Sequence, residues 1–405
     1  MAKCIFCNND LTNDTKAEHI LLNALGGRKT TNTVDCSPCN NKFGGTIDAE
    51  VGKQVEVLRN MLQLDSGRDR APPILRKIQS GKDTINVLSD GTPELVAKPF
   101  TVRKREDGSF EVQITTKSVQ EFARYIPHMA AQIGCSEQQV LEMLKSATGS
   151  YVERRPDTVH HRLKFGGQLA VRSAAKSALV LWATLVGNDE VKSSPYAAVR
   201  EFIVAGNEAF NRAHAHLDSR HLPQSDELQR RFGKFFNLIY VRSDNAGRVV
   251  AHFTLYNILG WHIVLAEAGG TPNTRIGLIS NPLDPSVSSD AIADEIDIDF
   301  AWLDHLDYSD EFARARERLT ATMQHHVETQ RPREVNRIIE EVFAKHGIAG
   351  EHEPVTDPEV QKRIMWEISR RQAAHALGLP YCEEIPGEDI VARLKAASTN
   401  SDDEN

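Results

Sequence analysis

The sequence predicts an α+β protein in which a small cysteine-rich module precedes a short basic β region and a larger, mostly helical part. Three observations predict this order. The first fifty residues hold four of the six cysteines, in two C-x-x-C pairs. Residues 110–115 alternate apolar and polar side chains, as a half-buried strand does. Residues 168–185 are apolar on most of the helix circumference, which is typical of a central core helix.

Length and composition are those of a globular protein with two or three domains. The chain has 405 residues, of which 40% are hydrophobic and 26% charged. No apolar run approaches the roughly 18 residues that a membrane span needs, and the start lacks the apolar core of a signal peptide. We therefore expect a cytoplasmic protein with no membrane partner, and a homo-oligomer stays open.

The cysteine pairs predict a metal site. Cys4 and Cys7 form the first pair, and Cys36 and Cys39 form the second. A two-residue gap lets both thiolates of a pair face one ion, so two pairs complete a tetrahedral shell. Four thiolates favour Zn²⁺, and a closed shell leaves no position for substrate, which predicts a structural role. A rubredoxin-like iron site and a zinc ribbon without catalysis are the alternatives.

Polar residues between and after the cysteine pairs favour a catalytic module over a plain zinc ribbon. Glu18 and His19 stand in a short β-prone run. A second strand is predicted at residues 32–36, beginning with Asn32, and a helix begins at Asn40. A carboxylate, an imidazole and an amide oxygen held on two strands and a helix can bind one hard divalent ion and activate a water molecule.

Residues 4–44 resemble the HNH endonucleases, the ββα-metal nucleases, and especially their members with a four-cysteine zinc site. The resemblance implies that His19 is the general base for the attacking water and that Glu18 ligates a catalytic Mg²⁺ or Mn²⁺ ion. It also implies that Asn32 orients the histidine loop and that Asn40 is a second metal ligand, in place of the commoner His. DNA is then the expected partner, and cleavage would leave 5′-phosphate and 3′-hydroxyl ends.

The sequence departs from this family pattern in two places. Glu18 stands where many members have Asp, and Asn32 lies four residues before Cys36 instead of about five. In addition, neighbouring residues of a strand point to opposite faces. Glu18 and His19 can therefore share one site only if the strand is irregular there.

Basic side chains predict where the phosphate backbone would bind. Residues 68–105 hold nine Lys and Arg against four acids, a local balance of +5 in a chain of net charge −8. Such a patch can attract a polyanion. The residues predicted to contact the backbone are Arg28, Lys29, Lys42, Arg103, Lys104 and Arg105.

These patterns predict a zinc-stapled HNH nuclease module at 1–66, a basic β-rich connector at 67–117 and an α+β domain at 118–398. That domain should contain a three-stranded antiparallel meander between residues 235 and 266 and should select the substrate or regulate the nuclease, with antiviral defence as one setting. An acidic tail at 399–405 is predicted to be disordered. The alternative is a zinc-dependent nucleic-acid-binding or adaptor protein with a degenerate HNH site.

Overall fold

The computed structural model describes residues 2–348 and 354–399. Their strands, in chain order, are β1 (Glu18–His19), β2 (Thr30–Thr31), β3 (Leu75–Ser80), β4 (Asp83–Val87), β5 (Pro93–Leu95), β6 (Phe100–Lys104), β7 (Phe110–Ile114), β8 (Thr148–Glu153), β9 (Ala215–Asp218), β10 (Asn237–Ser243), β11 (Val249–Leu255), β12 (Leu259–Ala266), β13 (Arg275–Ser280), β14 (Ser288–Ser289) and β15 (Tyr381–Pro386). Their α-helices are α1 (Ser37–Gly44), α2 (Ile47–Gln54), α3 (Glu56–Leu62), α4 (Val119–Ile133), α5 (Glu137–Lys145), α6 (Gly167–Val186), α7 (Asn188–Lys192), α8 (Ala197–Ala205), α9 (Glu208–His214), α10 (Ser225–Phe232), α11 (Ile292–Glu295), α12 (Phe300–Asp304), α13 (Glu311–Lys345), α14 (Pro358–Leu377) and α15 (Gly387–Thr399). The predicted mixture of helices and strands is confirmed.

The chain forms two compact units, and each is assembled from separate segments. Unit 1 consists of Met1–Leu75, Val87–Thr92 and His161–Glu328, and unit 2 consists of Arg76–Asn86, Pro93–His160 and Thr329–Asn405. This division differs from the predicted one because long-range packing joins the cysteine-rich segment to elements beyond residue 161, which no local pattern encodes. Residues 400–405 of the predicted tail lie outside the described residues.

Unit 1 contains a six-stranded sheet in the order β14-β13-β10-β11-β12-β9. The predicted meander is present as β10, β11 and β12, which pair antiparallel in sequence order. The sheet is wider than predicted because β13 and β14 extend one side and β9 extends the other. The flanking strands β9 and β14 have only four and two residues, too few to show an alternating pattern.

Helix α6 is the central core helix of unit 1, as its apolar circumference predicts. Trp182 is fully buried, and its Nε1 donates a hydrogen bond to Tyr196 Oη over 2.8 Å. One apolar core joins α6 to the sheet and to the N-terminal segment, through residues such as Phe43 and Ala251. By length and hydropathy α6 could cross a membrane, contrary to expectation, but 78% of its apolar window is buried inside the protein.

Unit 2 holds the basic β region and a small helical core. Strands β6 and β7 form the predicted antiparallel hairpin, with Arg103 opposite Glu111. Strands β3, β4 and β5 form a second small sheet, and β8 pairs antiparallel with β15. Helices α4, α5 and α15 enclose a separate apolar cluster built around Met129 and Leu394.

Candidate active site

The four cysteines of the two pairs converge on one point. Their sulfur atoms all lie within 4.8 Å of one another. The backbone N–H of Phe6 donates to Cys4 Sγ over 3.4 Å, which stabilises a thiolate there. A hydrogen bond from Cys39 is the main cause that lowers the pKa of Cys4 to about 4. Four sulfur ligands at this spacing fit a tetrahedral zinc ion with a structural role.

Local backbone geometry brings the two pairs together. The N–H of Ile5 donates to the carbonyl of Val34 over 3.1 Å, so the first pair runs beside the chain that enters the second. Helix α1 then begins directly after Cys36, with Pro38 in its first turn. Proline is well placed there because an N–H in the first turn of a helix has no partner within the helix.

His19 lies half-buried on β1, which pairs antiparallel with β2 and places His19 opposite Thr30. Its Nδ1 has no hydrogen-bond partner among the described residues. Burial, followed by the charge of Arg68, lowers the pKa of His19, and the backbone of Gly27 acts in the opposite direction. The imidazole is therefore neutral near pH 7, which is the form a general base needs.

The loop of Gly26 and Gly27 can pass close to the backbone of Leu21 only because neither glycine has a side chain. Gly26 has a φ of 86°, in the left-handed region that favours glycine. A Cβ on Gly27 would lie 2.0 Å from the carbonyl oxygen of Leu21. The two glycines therefore let the chain turn back against the strand that carries His19.

Asn40 holds the chain just before β1. Its side chain is buried, and its Nδ2 donates to the carbonyl oxygens of Ala17 over 3.1 Å and of Lys16 over 3.4 Å. Helix α1 thus links the second cysteine pair to the backbone that leads into His19. The role of Asn40 as a ligand of a divalent ion stays a prediction.

Asn32 is exposed and lies on a bend after β2. The strand predicted at 32–36 is wrong, since β2 spans only Thr30–Thr31 and the chain then bends so that Val34 and Asp35 enter the interior. No hydrogen bond joins Asn32 to His19 within the described residues. Its role in orienting the histidine loop stays a prediction.

Glu18 points into the core of unit 1 and contacts Lys176 of helix α6. The Lys176 ammonium also lies 2.5 Å from Asp48 Oδ2, and Ser173 Oγ donates to Asp48 Oδ1 over 2.5 Å. The side chains of Lys176 and Glu18 are only 1% and 5% exposed. Burial alone would lower the pKa of Lys176, but Asp48 and Glu18 outweigh it and raise that pKa above its usual range, so the ammonium is charged.

This arrangement does not offer Glu18 as an open metal ligand. One carboxylate oxygen already accepts a hydrogen bond from Lys176, and the residue is 4% exposed. A divalent ion bound to Glu18 would have to share the carboxylate with this buried ammonium. The resemblance-based assignment of Glu18 to the catalytic ion therefore does not fit the described geometry.

Two buried residues of the site were not singled out from the sequence. Asp35 is fully buried, and neither carboxylate oxygen has a hydrogen-bond partner among the described residues. Burial, followed by the charge of Glu18, raises its pKa to about 8. The sequence could have pointed to Lys176, since it is one of two charged residues in the mostly apolar segment 168–185. No sequence pattern pointed to Asp35, because its burial depends on the bend after β2.

The predicted backbone-binding residues are all at the surface. Arg28 is ion-paired with Asp69, Lys29 is ion-paired with Asp290, and Lys42 is exposed on α1. The remaining three are exposed on the β6–β7 hairpin of unit 2, namely Arg103, Lys104 and Arg105.

The model of the HNH endonuclease family matches this part of the chain over residues 4–56. The resemblance inferred from the motif is confirmed. This HNH segment contains the cysteine cluster, His19 and Asn40 and ends in helix α3. The comparison with curated proteins and the comparison with solved structures each found no match.

Proposed function

We propose that the protein is an endonuclease that hydrolyses phosphodiester bonds in DNA, with His19 as the general base. The main support is the half-buried imidazole of His19, whose pKa is lowered by burial and by Arg68. His19 lies in the segment that matches the HNH endonucleases. In this proposal the cysteine cluster binds structural zinc and holds the backbone on which His19 lies.

The chain's own residues account for the proton transfer. Neutral His19 takes a proton from a water molecule, whose oxygen attacks the phosphorus atom. The bond to the 3′ oxygen breaks, and that oxygen takes up a proton from solvent to leave a 3′-hydroxyl. Arg68 is close enough to His19 to lower its pKa and can neutralise charge on the phosphate. We also expect cleavage to require Mg²⁺ or Mn²⁺, although Glu18 is engaged by Lys176 and is not an open ligand for that ion.

A groove beside β2 supports a polyanionic substrate. It has a volume of about 800 Å³, and its lining includes Thr30, Thr31, Asp189 and the three lysines Lys3, Lys29 and Lys192. Each lysine is ion-paired with an acid, so a bound phosphate would have to compete with those carboxylates. Lysine and threonine side chains are common contacts of phosphate oxygens. Because β2 pairs with the strand of His19, a backbone bound in this groove would pass near the proposed base.

The rest of the proposal extends beyond the HNH segment. The chain outside it would select the DNA or regulate cleavage, in the cytoplasm and in a setting such as antiviral defence. The identity of the neighbouring genes would test a role in antiviral defence. The competing function is a zinc-dependent binding or adaptor protein with a degenerate site, which the engagement of Glu18 by Lys176 favours.

A cleavage assay separates these two functions. Zinc-loaded protein would be incubated with plasmid DNA, single-stranded DNA, RNA and modified DNA, with and without Mg²⁺ or Mn²⁺. We expect cleavage by the wild type and a loss of about 10² to 10⁴ in rate for His19→Ala, the range typical of a lost general base. Exposed His160 provides the matched control, since His160→Ala should cut normally. DNA binding without cleavage on any substrate would favour the adaptor.

A further inference from the structure

The contact between Glu18 and Lys176 belongs to a buried polar cluster that links the HNH segment to helix α6. Lys176 reaches Glu18 of β1 and Asp48 of α2, and Ser173 binds the same Asp48 from one turn earlier on α6. Residues three apart on a helix lie on the same face. Helix α6 therefore holds both β1 and α2 through one face.

The position of α6 argues against a gate that opens to admit a metal ion. Thirteen residues of α6 are buried, from Ala170 to Ala183, and the apolar ones among them share one core with the six-stranded sheet. Moving Lys176 away from Glu18 would leave uncompensated charge in a place closed to water, which is strongly unfavourable. In this structure the ammonium is thus the cation that compensates the carboxylate.

Strand β1 is short, and the chain that follows it is anchored by Ile20 and Leu21, which are buried in the core of unit 1. The strand consists of two residues, paired with two residues of β2. Asn40 holds the preceding backbone from one side, and the Glu18 side chain fixes the strand from the core. Because neighbouring strand residues point to opposite faces, fixing Glu18 inward directs His19 outward.

We propose that Lys176 is the resident cation of Glu18, so that Glu18 is a positioning residue for His19 and not a ligand of the catalytic divalent ion. This proposal rests on the proposed function in taking His19 as the base. It departs from the family resemblance, which assigns an ion to this acid. The position of His19 then depends on a charge supplied by the central helix of unit 1.

Three variants test the proposal: Glu18→Gln, Lys176→Met and the double variant. Direct titration of zinc-loaded protein with Mn²⁺ measures ion affinity independently of cleavage. We expect Glu18→Gln to bind Mn²⁺ within about threefold of wild type, since loss of a true ligand or its supporting shell typically costs 10–100-fold. A tenfold or greater loss of affinity with unchanged Tm would overturn the proposal.

Thermal unfolding and steady-state kinetics test the positioning role. Lys176→Met should lower Tm more than the double variant does, because it alone leaves both Glu18 and Asp48 without their cation. Glu18→Gln should lower kcat with little change in KM. The surface pair Lys145–Glu142 is the control, since Lys145→Met should change neither Tm nor kcat.

The outcomes separate this proposal from the proposed function. If Lys176→Met does not fold while the double variant does, the role of Lys176 as the cation of Glu18 is supported. If the double variant is less stable than Lys176→Met, that role is refuted. Wild-type protein that binds no Mn²⁺ would remove the ion from the proposed function, and the Tm comparison would still decide the role of Lys176.

Discussion

The side-chain amide of Asn40 donates a hydrogen bond to the carbonyl oxygen of Ala17 over 3.1 Å. Asn40 directly follows the last cysteine of the cluster, and Ala17 directly precedes β1. The Asn40 side chain, which also donates to the carbonyl oxygen of Lys16, therefore joins the cysteine cluster to the strand of the proposed base. Loss of the metal should therefore displace the backbone before β1 and, with it, His19.

The first prediction concerns the cysteine cluster. We expect one zinc ion per chain, and we expect Cys39→Ser to loosen the HNH segment, because structural zinc contributes ~10 kcal/mol or more to modules of this kind. Elemental analysis would measure the zinc content, and amide hydrogen exchange would measure the loosening of residues 4–56. Ser substitution of Cys135, which lies outside the cluster, is the control. Zinc-free protein with full exchange protection would contradict the prediction.

The second prediction separates two roles of Asn40. Asn40→Asp keeps an oxygen ligand but loses the amide donor, whereas Asn40→Ala loses both. If the hydrogen bonds to the backbone before β1 dominate, both variants should lose about 1 kcal/mol or more of unfolding free energy and should cut slowly alike. If metal ligation dominates, Asn40→Asp should cut faster than Asn40→Ala and excess Mn²⁺ should help. We expect the first pattern, and urea unfolding with cleavage rates would decide it.

The cysteine cluster and the position of His19 on a strand could be predicted because each depends on local spacing. The C-x-x-C pairs converge on one point, and the β-prone run around His19 forms β1. The same holds for α6 and for the meander, whose periodicity is long enough to recognise. These features needed no knowledge of distant contacts.

The partner of Glu18 could not be predicted, because 158 residues separate it from Lys176. Spacing indicated that Glu18 and His19 lie on opposite faces of a regular strand, but not which face would be the core. The bend after Thr31 was likewise missed, because the burial of Asp35 follows from packing and not from an alternating pattern. Long-range contacts thus determined the features that sequence analysis did not find.

The third prediction concerns acid stability. His252 and His262 are cross-strand neighbours in the sheet of unit 1, and burial lowers the pKa of each to about 4. The groups facing them are of both signs, namely Asp218, His216, Arg220, Arg248 and Arg318. The unfolded chain takes up these protons near pH 6.5 and the folded chain only near pH 4. The free energy of unfolding should therefore fall as the pH drops through this window, by up to about 1.4 kcal/mol per pH unit for each histidine, and these two groups should not affect it above the window.

His262→Leu isolates this effect from the loss of zinc in acid. Neither ring nitrogen of His262 has a hydrogen-bond partner among the described residues, so an apolar replacement leaves no broken bond. Urea unfolding at several pH values should show a shallower decline for this variant than for wild type. His305→Gln changes an exposed histidine and should keep the wild-type slope. Equal slopes for His262→Leu and wild type would contradict the assignment.

The last prediction concerns the basic hairpin, and it follows from the register of β6 and β7. Arg103 lies opposite Glu111, and Arg105 Nη2 lies 3.5 Å from Glu111 Oε2. Arg103 and Arg105 thus share a side with an acid, and Lys104 points to the other side, so at most two of the three can face one DNA backbone.

Replacing all three with Gln should weaken DNA binding at every sequence and lower the slope of log affinity against log salt by about 0.9 per lost contact, without moving the cuts. Glu111→Gln is the matched control and should strengthen binding, because it frees Arg105 from its ion pair and removes the negative charge opposite Arg103. Titration at several salt concentrations measures both variants. An unchanged slope in the triple variant would mean that the DNA is held elsewhere, and the groove beside β2 would then be the surface to alter.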